Sequence, residues 1–582
     1  MMLRVKPAPI SRSLLVIALA QAFAAGCAGE PPAPPPVTTM RAAKDSTPVS
    51  KKTSAPIEIS IVGTNDLHGR IGSLPVLGGY VNALRAARPG RVLLVDAGDT
   101  FQGTLESNLF EGAPVVEAYR RLGYAALAIG NHEFDYGPAG PEAVLPKGAA
   151  GDPRGALKAR AAQAAGAFPL LAANLLEEGR DLNWPNVAPS VVVKLESGIT
   201  VGLLGITTIS TPKTTIAANF IGLSVTPLAE AVAREARALR NTKGADIVVV
   251  LAHAGGHCTS LENPDDLSSC KPGEEIFEVA QALPSGAVDA IVAAHTHQAV
   301  AHRVAGIPII ESYANGKAFG RVDLTWDPAA RKVISSRIFP PTELVPGRVY
   351  EGKTVEPDSA IQAIVTPAFE RVAAKRAEPL GVTVEAPIEE KYKEESPLGN
   401  LVSSLMLELD PGADIALNNA GNLRADLPAG PLSYGALYDS IPFDNRLARM
   451  SMTGRALMDL FQRNLMSQRG ILSIAGLRVE ARCGPSGLVV SLILDGKKGA
   501  RGRVVKETDR LKVATTDYLA MGGGDLEPQA FDLAEGAQPY RDKIADLLRK
   551  RGGSLRPSDW LKPGSPRISF APGAPACAQG DK

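Results

Sequence analysis

The chemistry of this chain is concentrated in Gly130-Asn131-His132-Glu133-Phe134-Asp135, where an amide, an imidazole and two carboxylates follow an apolar run. Alone, the stretch fits a polar loop held by turn hydrogen bonds from Asn131 and Asp135, with His132 facing water. Similar groups recur in Asn65-Asp66-Leu67-His68, in Asp96-Ala97-Gly98-Asp99, at His253 and in His295-Thr296-His297. Of the 7 histidines in the chain, His68, His132, His253, His295 and His297 all belong to this set, which a scatter of surface residues does not explain. Oxygen and nitrogen donors without thiolates suit Zn²⁺, Mn²⁺, Fe or Co. Asp66, His68, Asp99, Asn131, His253, His295 and His297 are too many for one tetrahedral ion, and with one carboxylate bridging they suit two. Two ions roughly 3.5–4 Å apart generate hydroxide at neutral pH and clamp phosphoryl oxygens during in-line displacement, so phosphoester hydrolysis is the favoured reaction. His257 competes with His253 as a ligand, but His253 follows its apolar run more closely.

These groups need elements that bring them together. Expected strands are Ile57 to Val62, Val92 to Val95, Ala125 to Ile129, Leu170 to Ala173, Val201 to Leu204, Ile247 to Leu251 and Ile291 to Ala294. Helical patterns separate several of them, as in Pro227 to Arg240, where Leu228, Ala231, Val232, Ala236 and Leu239 share one face. That alternation predicts a layered α/β (α+β) domain over 57–345. Ligands gather at the carboxyl ends of strands, so the five polar strand ends are expected to converge.

At 582 residues the chain exceeds a single core. Residues 346–378 form an expected linker, with Ile361, Ile364, Val365, Phe369 and Val372 near helical spacing. A smaller α/β domain is expected over 379–570, followed by a tail over 571–582. Its first strong helix is Ser396 to Leu409, with Ser396 as cap, Pro397 in the first turn, and Leu398, Leu401, Val402, Leu405 and Leu409 on one face.

Residues 1–26 have the form of a removable signal: Arg4, Lys6 and Arg12 precede an apolar run from Ser13 to Ala20, and Ala24-Ala25-Gly26 lead to Cys27. The Ala-Ala-Gly-Cys ending resembles a bacterial lipoprotein signal, with Cys27 as the lipidated residue and membrane anchor. Ala24 departs from the Leu that pattern prefers, so plain secretion is the alternative. Either route predicts an exported protein, periplasmic or at the cell surface. Residues 27–56, with Pro31-Pro32-Ala33-Pro34-Pro35-Pro36 at the front, predict an extended tether. Removing residues 1–26 takes three basic and no acidic residues, changing 62 Lys+Arg against 61 Asp+Glu to 59 against 61. Near-neutral charge argues against a nucleic-acid polymer as partner, because such binding depends on neutralising phosphates. Four further cysteines in an exported chain favour disulfides. Cys258 with Cys270 is the expected pair, both lying in the loop 255–271, which leaves Cys483 with Cys577.

The ordered motifs Asp66-x-His68, Gly98-Asp99, Gly130 to Asp135, His253 and His295-x-His297 resemble those of the calcineurin-like metallophosphoesterases. The full arrangement resembles the bacterial exported 5′-nucleotidase and UDP-sugar hydrolase family. That resemblance implies a four-layer metallophosphoesterase β-sandwich flanked by helices and a C-terminal substrate-binding domain. It implies two divalent metal ions (Zn, Mn or Co). Asp66, His68, Asp99 and His297 would hold one, and Asp99, Asn131, His253 and His295 the other. His132 would act on the phosphoryl oxygens or leaving group, oriented by Asp135. Ala294 stands where the family usually has Gly. In the second domain, Asn418-Asn419-Ala420-Gly421-Asn422-Leu423-Arg424 resembles the family's Gly-rich substrate loop, with Asn419 and Arg424 at the contact positions. Phe443 and Tyr518 match two rings that sandwich a nucleobase. Asp525 matches a substrate carboxylate but stands one position late, in Gly522-Gly523-Gly524-Asp525-Leu526. The implied substrate is a small nucleotide, with UDP-sugars and 2′,3′-cyclic nucleotides as further members of the class. The alternatives are a thiosulfohydrolase-like enzyme on the same fold and a non-catalytic, surface-tethered binding protein.

Overall fold

The computed structural model of the chain describes residues 55–572 apart from 141–143, 146–149, 468–469, 486, 497–501, 524–525, 534–537 and 563. Two sheets face each other at the centre of the N-terminal part. The first has seven strands in the order Lys332–Glu343, Ala318–Asp327, Ile57–Thr64, Val92–Asp96, Leu127–Ala128, Leu170–Leu171 and Val187–Ala188. The second has six, in the order Ala299–Val304, Ile307–Ser312, Ala290–Ala293, Ile247–His253, Thr200–Thr207 and Ser190–Lys194.

Alternation along each strand decides what it buries. Ile59 and Ile61 enter the core between the sheets, where they join Val95, Leu203, Val249, Leu251 and Val292, while Val62 faces the helices outside. Helices Leu74–Ala87, Ala113–Leu122 and Gly155–Ala164 cover the first sheet. Leu228–Asn241 and Glu275–Ala282 cover the second, with Leu228, Ala231, Val232, Ala236 and Leu239 buried as the helical spacing predicts. The result is the expected four-layer arrangement of helices, sheet, sheet and helices.

The strand expected over Ala125 to Ile129 is shorter, at Leu127–Ala128. Its flanks remain paired, with Ala125 N–H donating to Leu94 O and Ile129 N–H to Leu171 O. The strand expected over Leu170 to Ala173 closes at Leu171, and Ala173 N–H crosses to Gly205 O in the other sheet.

Helix Ser359–Ala377 starts where the Asp358 side chain accepts N–H bonds from Ala360 and Ile361. Ile361, Val365 and Ala368 lie in the N-terminal core and Val372 in the C-terminal one, so one helix is shared by both. Ile364 and Phe369, on the expected apolar face, are only partly buried. Helix Pro397–Leu409 is capped by Ser396, whose side chain accepts Gly399 N–H at 3.0 Å. It packs on a five-stranded mixed sheet ordered Ser473–Ala475, Ile415–Asn418, Arg510–Thr516, Leu447–Thr453 and Phe531–Leu533. A disulfide joins Cys258 and Cys270 across an antiparallel bridge. Cys483 is also disulfide-bonded, and its expected partner Cys577, like Cys27, lies outside the described residues. Among the described residues no helix is long and apolar enough to cross a membrane.

Candidate active site

The site forms where the carboxyl ends of both sheets meet. Three adjacent parallel strands of the first sheet end at Asp66 and His68, at Asp99, and at Asn131 and His132. Two adjacent parallel strands of the second end at His253 and at His295 and His297. Asp66, His68 and His297 form one group whose ligand atoms lie within 4.8 Å of one another; Asp99, His253 and His295 form another. Asp99 faces both, its Oδ2 lying 3.1 Å from His253 Nε2 and 3.9 Å from His68 Nε2. Asn131 Oδ1 is 3.0 Å from His253 Nε2. His257 lies on the cavity wall and belongs to neither group.

Backbone carbonyls fix which ring nitrogen faces inward. His68 Nδ1 donates to Gln102 O at 2.9 Å, and His253 Nδ1 to Ala97 O at 3.0 Å. Each ring therefore turns Nε2 inward, the atom that a metal would take. His68 Nε2 meets His297 Nε2 at 3.0 Å, while His253 Nε2 meets only acceptor oxygens. Shared protons can satisfy these contacts in the metal-free chain, and the same inward-facing nitrogen and oxygen donors fit divalent metal in both groups.

Without metal, the charged groups of the site shift one another. Burial alone would raise Asp66, but His297 and His253 outweigh it and bring the pKa down to about 2. Burial opposes charging His253, yet Asp99 and Asp66 push it up to about 10, whereas burial and the neighbouring His253 bring His295 down to about 3.

Five of the expected ligands have left-handed backbones: φ is +48° at Asp66, +49° at His68, +56° at Asp99, +83° at His295 and +58° at His297. Each costs roughly 1–3 kcal/mol outside glycine and persists only where surrounding bonds over-determine it. Glu133 supplies several of those bonds, accepting N–H groups of Asp99 at 2.9 Å, Thr100 at 2.6 Å and Gly130 at 2.7 Å. Asp96 accepts Gly98 N–H at 2.8 Å. Gly130 is required here, because a Cβ would sit 2.3 Å from Asp99 Oδ1. The supporting carboxylates Glu133 and Asp96 were visible in the sequence as neighbours of ligands, but nothing there assigned them this part.

His132 stands beside the metal groups. Its Nδ1 donates to Asp135 Oδ2 at 2.5 Å, and Asp135 Oδ1 accepts Thr215 Oγ1 at 2.9 Å. Its Nε2 is 3.1 Å from Arg424 Nη2 of the second domain. Burial lowers the His132 pKa, Asp135 and Asp99 raise it, and the net shift is upward. Phe443 stacks at a tilt 5.5 Å from the His132 ring, with the Arg424 guanidinium 5.2 Å above its face. Tyr518 donates its hydroxyl to Lys213 O at 2.7 Å. Asn419 Oδ1 is buried without a partner among the described residues. All of these residues line one cavity of about 920 Å³. Asp525 lies outside the described residues.

Residues 59–299 match the calcineurin-like phosphoesterase family model, and residues 373–532 match the 5′-nucleotidase C-terminal domain. The chain thus joins a calcineurin-like phosphoesterase domain to a 5′-nucleotidase C-terminal domain. It is 26% identical over 531 residues to cell wall protein Lmo0130 of Listeria monocytogenes, covering 84% of this chain and 65% of that protein. The chain thus spans less than two thirds of that relative's length. It is 25% identical over 511 residues to UshA of Yersinia enterocolitica, covering 80% of this chain and 86% of UshA. The fold matches the crystal structure of a 5′-nucleotidase precursor from Thermus thermophilus with a TM-score of 0.69 at 22% identity, covering 89% of this chain and 100% of that one.

Proposed function

We propose that this chain is an exported, two-metal phosphohydrolase that releases phosphate from small nucleotides. The observation that carries the reading is the pair of donor clusters, whose His68, Asp99, His295 and His297 line one cavity with His132, Arg424, Phe443 and Tyr518. One ion would be held by Asp66, His68, Asp99 and His297, the other by Asp99, Asn131, His253 and His295. Bound there, two divalent ions supply a metal-activated hydroxide at neutral pH and neutralise phosphoryl oxygens.

The chain's own residues do the rest. Asp135 holds Nδ1–H of His132, which leaves Nε2 facing the reacting group. Arg424 offers a planar fork of donors to phosphate oxygens, replacing its contact with His132 as substrate enters. Phe443 and Tyr518 bind the base by stacking, which contributes on the order of 1 kcal/mol per ring and tolerates different bases. Asn419 Oδ1, buried and without a partner among the described residues, is an acceptor for a donor on the base or ribose. Nucleoside monophosphates, UDP-sugars and 2′,3′-cyclic nucleotides all present a phosphoryl group beside a stackable base. Zn, Mn and Co all suit these N/O donors.

Export rests on the signal-like segment 1–26, and attachment to a membrane rests on Cys27. Intact-mass measurement of the mature N-terminus tests both, with a diacylated Cys27 expected and an unprocessed Met1 the contrary result. For the activity, metal-loaded protein is assayed for phosphate release from a nucleotide panel, beside sulfate release from a carrier-bound thiosulfonate. Phosphate release from at least one nucleotide is expected. Sulfate release alone would assign the thiosulfohydrolase reaction, and neither product would leave a binding protein.

A further inference from the structure

Strand Ile307–Ser312 carries none of the expected metal ligands, yet it touches three of the segments that do. Ser312 donates its N–H to Asn65 Oδ1 at 3.0 Å, and the Asn65 amide donates to Asp66 Oδ2 at 2.8 Å. Glu311, only 1% exposed, reaches the other two. Its Oε1 lies 2.6 Å from Thr296 Oγ1, between His295 and His297, and its Oε2 accepts Gly256 N–H at 2.9 Å, three residues beyond His253.

The protons in this cluster can be counted. Thr296 Oγ1 also lies 2.8 Å from the Gly256 carbonyl oxygen, which only accepts. A hydroxyl has one proton, so it cannot donate to both Gly256 O and Glu311. Given to Gly256 O, it leaves Thr296 as an acceptor, and the 2.6 Å contact must take its proton from Glu311. A carboxylic acid satisfies every contact, with O–H toward Thr296 and the carbonyl oxygen toward Gly256.

We propose that Glu311 is a positioning residue acting as a neutral carboxylic acid, which clamps the His295-Thr296-His297 turn to the loop after His253. The clamp rests on the two-metal reading above, since it fixes imidazoles of both ligand groups relative to one another.

Two further observations support it. His295 and His297 are both left-handed, at φ +83° and +58°, so the turn between them needs an external anchor, and Thr296 at its centre has one. At Gly255 a Cβ would lie 2.6 and 2.7 Å from the Glu311 carboxyl oxygens and 2.3 Å from Ala294 O, so the approach of Glu311 requires glycine there. Burial, aided by the nearby Asp66 charge, pushes the Glu311 carboxyl well above the usual carboxylate range against the bonds from Thr296 and Gly256.

The test compares wild type, Glu311→Gln and Glu311→Ala by titrating Mn²⁺ or Zn²⁺ against a chromogenic chelator, with nucleotide kinetics on the same preparations. An amide reproduces both contacts, donating to Thr296 and accepting from Gly256. Glu311→Gln should therefore retain wild-type metal affinity. Glu311→Ala should weaken at least one ion roughly 10- to 100-fold, as loss of a support behind a ligand does. The kcat at limiting metal should fall with it while nucleotide KM, set by the second domain, holds. If Glu311→Ala does not fold, Thr296→Val removes the same hydroxyl link and should lower metal affinity, with Thr296→Ser restoring it. A Gln variant as weak as the Ala variant would show that the charge matters and overturn the clamp, as would wild-type affinity in both Glu311→Ala and Thr296→Val. Wild-type protein that binds no divalent ion would instead sink the two-metal reading itself.

Discussion

Asp135→Asn tests the arrangement of His132 more sharply than removal of the histidine. Asp135 makes two bonds, to His132 Nδ1 at 2.5 Å and to Thr215 Oγ1 at 2.9 Å. Asparagine keeps the shape and can still pair with Thr215, so the loop should stay folded, and the change is confined to the charge behind the imidazole. A hydrogen bond to a charged group contributes about 1.5–3 kcal/mol. If that contribution is realised in the transition state, kcat falls roughly 10- to 150-fold. The pH profile should move as well. With His132 acting as an acid toward the leaving group, activity falls as pH rises through its pKa, which Asp135 helps to hold above the ordinary histidine value. Loss of the carboxylate lowers that pKa, so the alkaline limb should shift toward lower pH. The assay is steady-state phosphate release across pH for wild type and variant, each with its metal content measured. A fully metal-loaded variant with unchanged kcat and an unmoved alkaline limb would refute the role given to Asp135.

Phe443→Ala should raise nucleotide KM roughly 5- to 10-fold, from about 1 kcal/mol of lost stacking, with little change for a phosphate ester that lacks a base; equal effects on both substrates would mean the ring serves packing only. Cys258→Ser opens a disulfide whose cysteines are 12 residues apart, and should lower stability by about 2–3 kcal/mol. Thermal melts with and without reductant check this, wild type being expected to shift further under reductant than the variant, in which only the Cys483 bond is left to reduce.

Much of the candidate site was legible because its expected ligands follow apolar strands, and strands lie next to one another in sheets. Asp66, His68, Asp99, Asn131, His253, His295 and His297 stood out as polar residues interrupting hydrophobic runs, and the structure brings their ligand atoms together. The cap at Ser396 was legible for a similar reason, being a local pattern that forms from a few consecutive residues. What holds the ligands in their left-handed conformations was not legible. Glu133 reaches Asp99 and Thr100, and Glu311 reaches Thr296 and Gly256, through approaches that only the packed sheets create. A buried glutamate on a strand has no local spacing that announces what it touches. The shared helix Ser359–Ala377 shows the same limit, because its apolar spacing gave a helix but not the two cores it enters.

The most direct measurement of the central claim is metal stoichiometry and phosphate release on one preparation of the wild-type chain, before and after chelation. The two-metal reading predicts two divalent ions per chain, phosphate release from nucleotides that disappears with the metal, and recovery of both on adding back Mn²⁺, Co²⁺ or Zn²⁺. Fewer than two ions at saturation, or nucleotide hydrolysis that survives their removal, would contradict it.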